Sequence, residues 1–389
     1  MSHVRLSRLA AFVNGYAFKP DDLRGTSTPV VRIRQLIDSA TDPDKTDLDP
    51  GPRYRINTGD LIFAWSGTLA VRTWHRGPAL LNQHLFRVDP VAGVERAWLA
   101  YALEHSLSEA RRFMHGSAMT HITRGVLDQI AVPLPGGPKQ RAIAKLLDAE
   151  TTRIDAVVTA RTRQRQLVLE RQTALVAGVV AAAGPQARLA SVITSIEQGT
   201  SPQCSDRPAG PGERGVLKLS AVSARGFSQG QNKSLADDAY DARAVVRDGD
   251  LLVTRANTPT LVGLAAVARF IDHDVTLLLP DLIYRLRLRD GQDPDYVQLA
   301  MSTPAARGQL TAAARGSSQS MVKLRGEDLR ELRIPLPAIE RQQAIASKAR
   351  TQGVGVQRAL VAIDRQITLL CERRQALITA AVTGKLDVG

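Results

Sequence analysis

Two cysteines in 389 residues, Cys204 and Cys371, stand far apart, with no Cys-x-x-Cys and no metal-type histidine spacing around them. That argues against a disulfide or zinc framework and suits a reducing cytoplasm. Long apolar runs are missing as well. The N-terminus has no apolar core stretch, and "LVAGVVAAAG" at 175–184 is too short to span a bilayer, so neither secretion nor a membrane is expected. Catalytic signatures are equally scarce. No G-x-x-x-x-G-K-[ST] gives ATP a seat, and no Asn or Asp precedes a Pro-Pro-aromatic that would hold a flipped base. Every lysine lacks an acid two residues before it, which removes the lysine half of a common nuclease metal site. Gly210, Gly212 and Gly215 spell G-x-G-x-x-G, but after a proline-rich loop rather than a strand and with no helix following, so chance explains them. His115 and His121 flank a loop six residues apart, which reads as a solvated or DNA-facing pair before a metal site.

What the chain does have is a copy of itself. "LDQIAVPLP" at 127–135 returns as "LRELRIPLP" at 329–337, "QRAIA" at 140–144 as "QQAIA" at 342–346, and "RQRQLVLERQTALV" at 163–176 as "RQITLLCERRQALI" at 365–378, always 202 residues later. Each copy opens on prolines that forbid helix and then runs about forty residues with few breakers, as one long helix would. In the second, Val356, Leu360, Ile363, Ile367, Leu370, Arg374, Leu377 and Ala381 step by four and three, the 3.5 period of a coiled-coil stripe. The matching stripe of the first is Ile154, Val158, Arg161, Arg165, Val168, Gln172, Leu175 and Val179. Two such stripes in one chain are expected to pair.

The segments between the helices echo each other more weakly. Both open on an apolar stretch ending in glycine, "RLSRLAAFVNG" at 5–15 and "RLASVITSIEQG" at 188–199, followed by β-rich runs, "PVVRIRQL" at 29–36 and "GVLKLSAV" at 215–222. Gly-Asp turns then lead into strands, "TGDLIFAWSG" at 58–67 and "DGDLLVTRAN" at 248–257, and further strands follow in "NQHLFRV" at 82–88 and "PDLIYRL" at 280–286. Each segment closes with a helix-like stretch and a Gly-Ser loop, "HGSAMTHIT" at 115–123 and "RGSSQSMVK" at 315–323. Short strands and many turns give a mixed α/β module, present twice.

The net charge is +13 and the isoelectric point near 10.2, values that point to a polyanionic partner, nucleic acid first. Residues 139–183 and 338–389 each hold 8 basic against 4 acidic side chains, so the helical segments carry most of the excess. Candidate DNA contacts lie in the polar loops. Arg255, Asn257 and Thr258 follow an apolar strand, with Ser66 and Gly67 in the matching place of the first module. Arg suits guanine, Asn suits adenine, and Ser or Thr suits phosphate or either base. Ser317, Ser318, Gln319 and Lys323, matched by Ser117, Thr120 and His121, with His115 nearby, form a second polar edge.

Together these features resemble the specificity subunit of type I restriction-modification systems. The "PLP" and "QRAIAKLLDAETTRIDAVV" stretch of 133–158 and "ERRQALITAAVTGKLDV" at 372–388 look like that family's two helical regions, and the Gly-Asp strand, "NQHLF" and Gly-Ser elements look like its target-recognition domains. The resemblance implies an α+β chain: two mixed α/β target-recognition domains, 1–138 and 184–337, joined by two long antiparallel paired helices, 139–183 and 338–389, in a pseudo-twofold duplication. It implies that each domain reads one half of a split site on double-stranded DNA. It also implies that the helices set the spacing and that the subunit recruits two methyltransferase subunits and, for cleavage, two motor-nuclease subunits. S-adenosylmethionine, ATP and magnesium would belong to those partners, with no cofactor in this chain. One departure stands out: "KLLDAETTRID" at 145–155 faces "SKARTQGVGVQ" at 347–357, and two helical glycines cost about 1 kcal/mol each, which marks Gly353 to Gly355 as a place for the second helix to break.

The sequence therefore reads as a DNA-specificity subunit without activity of its own. A coiled-coil scaffold with two protein-binding modules would explain the stripes but not the basic excess. An enzyme of unfamiliar type lacks its motifs.

Overall fold

The computed structural model describes residues 3–38, 40–113, 129–235, 240–272, 274–318 and 321–388. They divide into two compact units, residues 1–162 with 364–389 and residues 163–363. The long helices run Gly137–Ala181 and Ile339–Val382, and each gives residues to both units, so the units do not follow the segment boundaries drawn from the repeats.

The first unit is built on an antiparallel sheet of four strands in the order Ala10–Asn14, Leu85–Pro90, Leu61–Ala64, Ala70–Thr73. "LIFA" at 61–64 is apolar at every position because both faces are covered. Leu61 and Phe63 enter a core with Trp98, Leu99 and Leu103 of the helix Arg96–Phe113, while Ile62 and Ala64 pack with Val31, Ile56 and Leu81. A second four-stranded sheet includes one parallel pair, Val30 beside Leu80 and Val31 beside Leu81. Of "PVVRIRQL", only the start is strand, Thr28–Val31, and Ile33–Ile37 turn into a short helix. The proline-rich repeat closes the unit as an edge ribbon: His3–Arg5 pairs antiparallel with Ala131–Pro133, an end position where a missing N–H costs little. Ile143, Ala144 and Leu147 of the first long helix and Ile378, Ala381 and Val382 of the second complete the core.

The second unit repeats this plan. Its sheet has the order Ile193–Gln198, Ile283–Leu288, Leu251–Thr254, Ala265–Val267, all antiparallel, and its other four-stranded sheet again has one parallel pair, Val216 beside Leu278. Gln186–Arg188 pairs with Arg333–Pro335 as the edge ribbon. In place of one long helix stand two, Pro294–Ser302 and Pro304–Ala313, divided at Thr303, whose hydroxyl caps the second through Ala306 N–H. The glycines ending the first strand have the same use in both units. A Cβ on Gly15 would lie 2.3 Å from the Asn82 carbonyl oxygen, and one on Gly199 would lie 1.6 Å from that of Leu279, so only glycine lets these strands approach.

Two expectations about the helices need correction. Helix continues unbroken through Gly353 and Gly355, because interrupting a 44-residue helix would forfeit its cooperative hydrogen-bonded ladder and require a second costly nucleus. In the first long helix Ile154 is buried and Val158, Arg161, Arg165, Val168 and Gln172 are half-buried, but Leu175 and Val179 are 55% and 43% exposed. Val176 and Val180 turn inward instead, onto the second unit's core with Leu189, Leu329 and Ile334. A straight helix drifts about 20° per heptad from a 3.5 repeat, and here it follows the core of its own unit. In the second helix Leu360 and Ile363 are buried and Ile367, Leu370 and Leu377 are half-buried.

Candidate nucleic-acid interface

In the second unit the chain leaves the central strand at Thr254, passes Arg255 and forms the short strand Ala256–Asn257. That strand pairs with Met321–Lys323, which in turn pairs with Arg315–Ser318. A polar three-stranded edge results, and it brings together Arg255, Asn257, Thr258 and Lys323. Lys323 is exposed there. Ser317 and Ser318 belong to its outer strand, while Gln319 lies outside the described residues, as do His115, Ser117, Thr120 and His121.

Arg255 is not a loose side chain awaiting a base. Its Nε donates to the Tyr284 hydroxyl at 3.1 Å, Nη1 donates to the Asp281 carbonyl at 3.3 Å, and the guanidinium lies 5.8 Å from the Tyr284 ring centroid. These contacts fix the fork and leave its Nη2 edge without a partner among the described residues. Asn257 is also engaged, its side-chain oxygen accepting from Thr258 N–H at 2.8 Å.

Strand register finds a counterpart that residue types hide. The bonds from the central strand to its neighbour put Trp65 where Arg255 stands, Phe86 where Tyr284 stands and Gln83 where Asp281 stands. Trp65 stacks on Phe86 at 5.6 Å and donates its Nε1 to the Gln83 carbonyl at 3.2 Å, the contacts of Arg255 in aromatic form. Sequence matching named Ser66 and Gly67 here and missed Trp65. Ser66 is buried, and Gly67 is exposed with a φ of +67°.

A second group that sequence reading missed braces the sheet behind this edge. Arg285, 2% exposed, bonds Glu197 and Asp250 and donates to the carbonyls of Val245 and Arg243; Arg287 bonds the same two acids. Burial pushes the Glu197 carboxyl up, yet the bonds from Arg287 and Arg285 outweigh it and hold the pKa below the usual carboxylate range. Arg87, at the position of Arg285, likewise donates to the carbonyls of Arg53 and Arg55. The available signal was "RLR" on a strand, two arginines spaced to share one face.

Repeated glutamines tie each module to its long helix. Gln140 accepts from Glu95 N–H and donates to the carbonyls of Gly93 and Pro135, and Gln342 accepts from Asp293 N–H and donates to Pro337 and Gln292, each with 1% of its surface exposed. Among the described residues no group of three His, Cys, Asp or Glu could hold a metal, and no helix is long and apolar enough to cross a membrane.

The chain thus holds two mixed α/β modules with one register and different polar edges, each tied to the start of a long helix. Residues 3–163 match the family model of the type I restriction modification DNA specificity domain. The chain is 26% identical over 250 residues to the type I restriction enzyme EcoKI specificity subunit of Escherichia coli strain K12, an alignment covering 60% of this chain and 53% of that one. It is 30% identical over 164 residues to the EcoEI specificity subunit of Escherichia coli, over 41% of this chain and 27% of the relative. With the EcoBI specificity subunit of Escherichia coli it shares 22% over 383 residues, covering 89% and 77%. It thus spans about half the length of the first of these curated relatives, 53%, and less of the second. A solved chain, from work on complex assembly and conformational transition of the type I R-M system, shares its fold with a TM-score of 0.68 at 20% identity, covering 99% of this chain and 98% of that one. Residues 3–163 thus match a type I restriction modification DNA specificity domain, and the chain is similar to specificity subunits of type I restriction enzymes.

Proposed function

We propose that this chain selects the DNA sequence for a type I restriction-modification complex and performs no chemistry itself. The target-recognition domains 1–138 and 184–337 each read one half of a split site on duplex DNA. The helices of 139–183 and 338–389, paired antiparallel, fix the gap between the halves and dock two methyltransferase subunits and, for cleavage, two motor-nuclease subunits. S-adenosylmethionine, ATP and magnesium act in those partners, in the cytoplasm.

The observation that carries this reading is the pair Trp65 and Arg255: one frame, one register and one set of backbone contacts, with a different side chain at the same edge position. A protein that must read two unlike half-sites needs that arrangement. Methylome sequencing of cells carrying this chain with its methyltransferase subunit is expected to show adenine methylation at one split sequence, lost when the chain is deleted. The purified chain with S-adenosylmethionine should methylate nothing. Methyl transfer by the chain alone, or methylation unchanged by its deletion, overturns the reading.

A further inference from the structure

After Asn257 the chain makes a tight turn, Thr258 to Gly263, that is held from several sides. Leu261 N–H and Val262 N–H both donate to the Thr258 carbonyl, at 3.0 and 2.9 Å. From outside the turn, the Thr254 hydroxyl donates to the Leu261 carbonyl at 2.9 Å, that of Thr311 to Pro259 at 3.3 Å, and Arg307 Nη2 to Thr260 at 3.1 Å. The turn is therefore set before anything binds. On its open side the hydroxyls of Thr258 and Thr260 stand 3.4 Å apart, Thr260 is exposed, and no described residue accepts its N–H.

Behind the turn sits a cation that no carboxylate among the described residues answers. Arg307 Nη1 is buried and has no hydrogen-bond partner, and no carboxylate among the described residues pairs with this guanidinium. Burial lowers the Arg307 pKa, the mark of a desolvated cation. Such a group costs stability when left unpaired, and in a low-dielectric setting its field favours an anion at the nearest open donors. Those donors are the Thr258 and Thr260 hydroxyls and the Thr260 amide, the kinds of group that contact phosphate oxygens and carry no base information.

We propose that the Thr258–Gly263 turn binds a phosphate oxygen, that its ligand is a backbone phosphodiester of the recognised duplex, and that Arg307 positions the turn and supplies the charge behind it. The proposal rests on the DNA-specificity reading. It assigns Thr258 to the backbone rather than to a base and adds Thr260 and Arg307.

The test uses the full chain assembled with its methyltransferase subunit and follows duplex affinity against salt concentration. Arg307→Met should weaken binding about tenfold on cognate and non-cognate duplexes alike and make the log–log salt slope shallower by about one. Arg307→Lys should keep the wild-type slope. If Arg307→Met unfolds the unit, Thr258→Val with Thr260→Val decides: a uniform loss of affinity supports the site and undiminished binding overturns it. Unchanged affinity and slope in Arg307→Met, or a loss confined to particular bases, overturns the assignment while the specificity reading stands. Saturable binding of inorganic phosphate without DNA overturns the assignment to the duplex backbone. Failure of the wild-type complex to bind any duplex overturns both.

Discussion

Arg285 holds a full charge with 2% of its surface exposed, and it does so because four groups answer it: Glu197, Asp250 and the carbonyls of Arg243 and Val245. Removing one partner of a fully buried pair typically costs about 3 to 5 kcal/mol, but the Glu197 carboxylate is 36% exposed and screened by solvent and Asp250 stays in place, so Glu197→Gln is expected to cost about 1 kcal/mol in chemical denaturation. The pH dependence has a definite sign. The folded pKa of Glu197 lies below its ordinary value, so its contribution is present above the usual carboxylate range and is lost as pH falls through the depressed pKa. Thermal unfolding followed from pH 7 to about pH 3 should show a smaller acid-induced loss in Glu197→Gln than in the wild type. An identical acid loss in both would show that other carboxylates carry it. The sequence marked Arg255 and Asn257 as polar loop residues. It could not show that Tyr284 and Asp281 hold Arg255, because those contacts join strands well separated in the chain.

At the scale of elements, glycine has two opposite meanings here. Gly15 and Gly199 lie against backbone, so alanine at either must push a strand away and should destabilise its unit. Gly353 and Gly355 lie inside a continuous helix, where a Cβ would meet only Gln172 Nε2 at 3.9 Å in the first case and nothing within 4 Å in the second. Alanine at each should therefore stabilise the protein by about 1 kcal/mol, read as a raised denaturation midpoint. Destabilisation would mean that something unseen uses the space, and the 420 Å³ groove lined there by Val168, Leu175, Val176 and Val356 is where to look. Propensity alone counted these glycines as a break. The cooperativity of a continuous 44-residue helix decided otherwise.

For the whole molecule, the proposed ruler makes a geometric prediction. Four residues added after Gln164 lengthen the helix by about 6 Å and turn it only about 40° beyond a full rotation. At about 3.4 Å per base pair, the gap between half-sites should widen by one or two base pairs while both half-site sequences stay the same. Two added residues turn the helix by about 200°, bury its polar face and should abolish assembly. Methylome sequencing reads both outcomes. A four-residue variant that keeps the original spacing with undiminished preference would show that the helices do not set it.

By itself the sequence determined the repeat, the strands and the long helices, because local preference, proline placement and hydrophobic period act within a few residues and were copied together. "LIFA" and "LLVT" announced buried central strands in this way. The tertiary structure alone decided the equivalence of Trp65 with Arg255, the carboxylate-paired charge of Arg285, the buried, unpartnered Nη1 of Arg307, and the exposure of Leu175 and Val179. Those outcomes depend on cross-strand register and on which core a helix face meets. Both are set by residues distant in the chain, whose contacts compete with local pattern and prevail where burial is greatest.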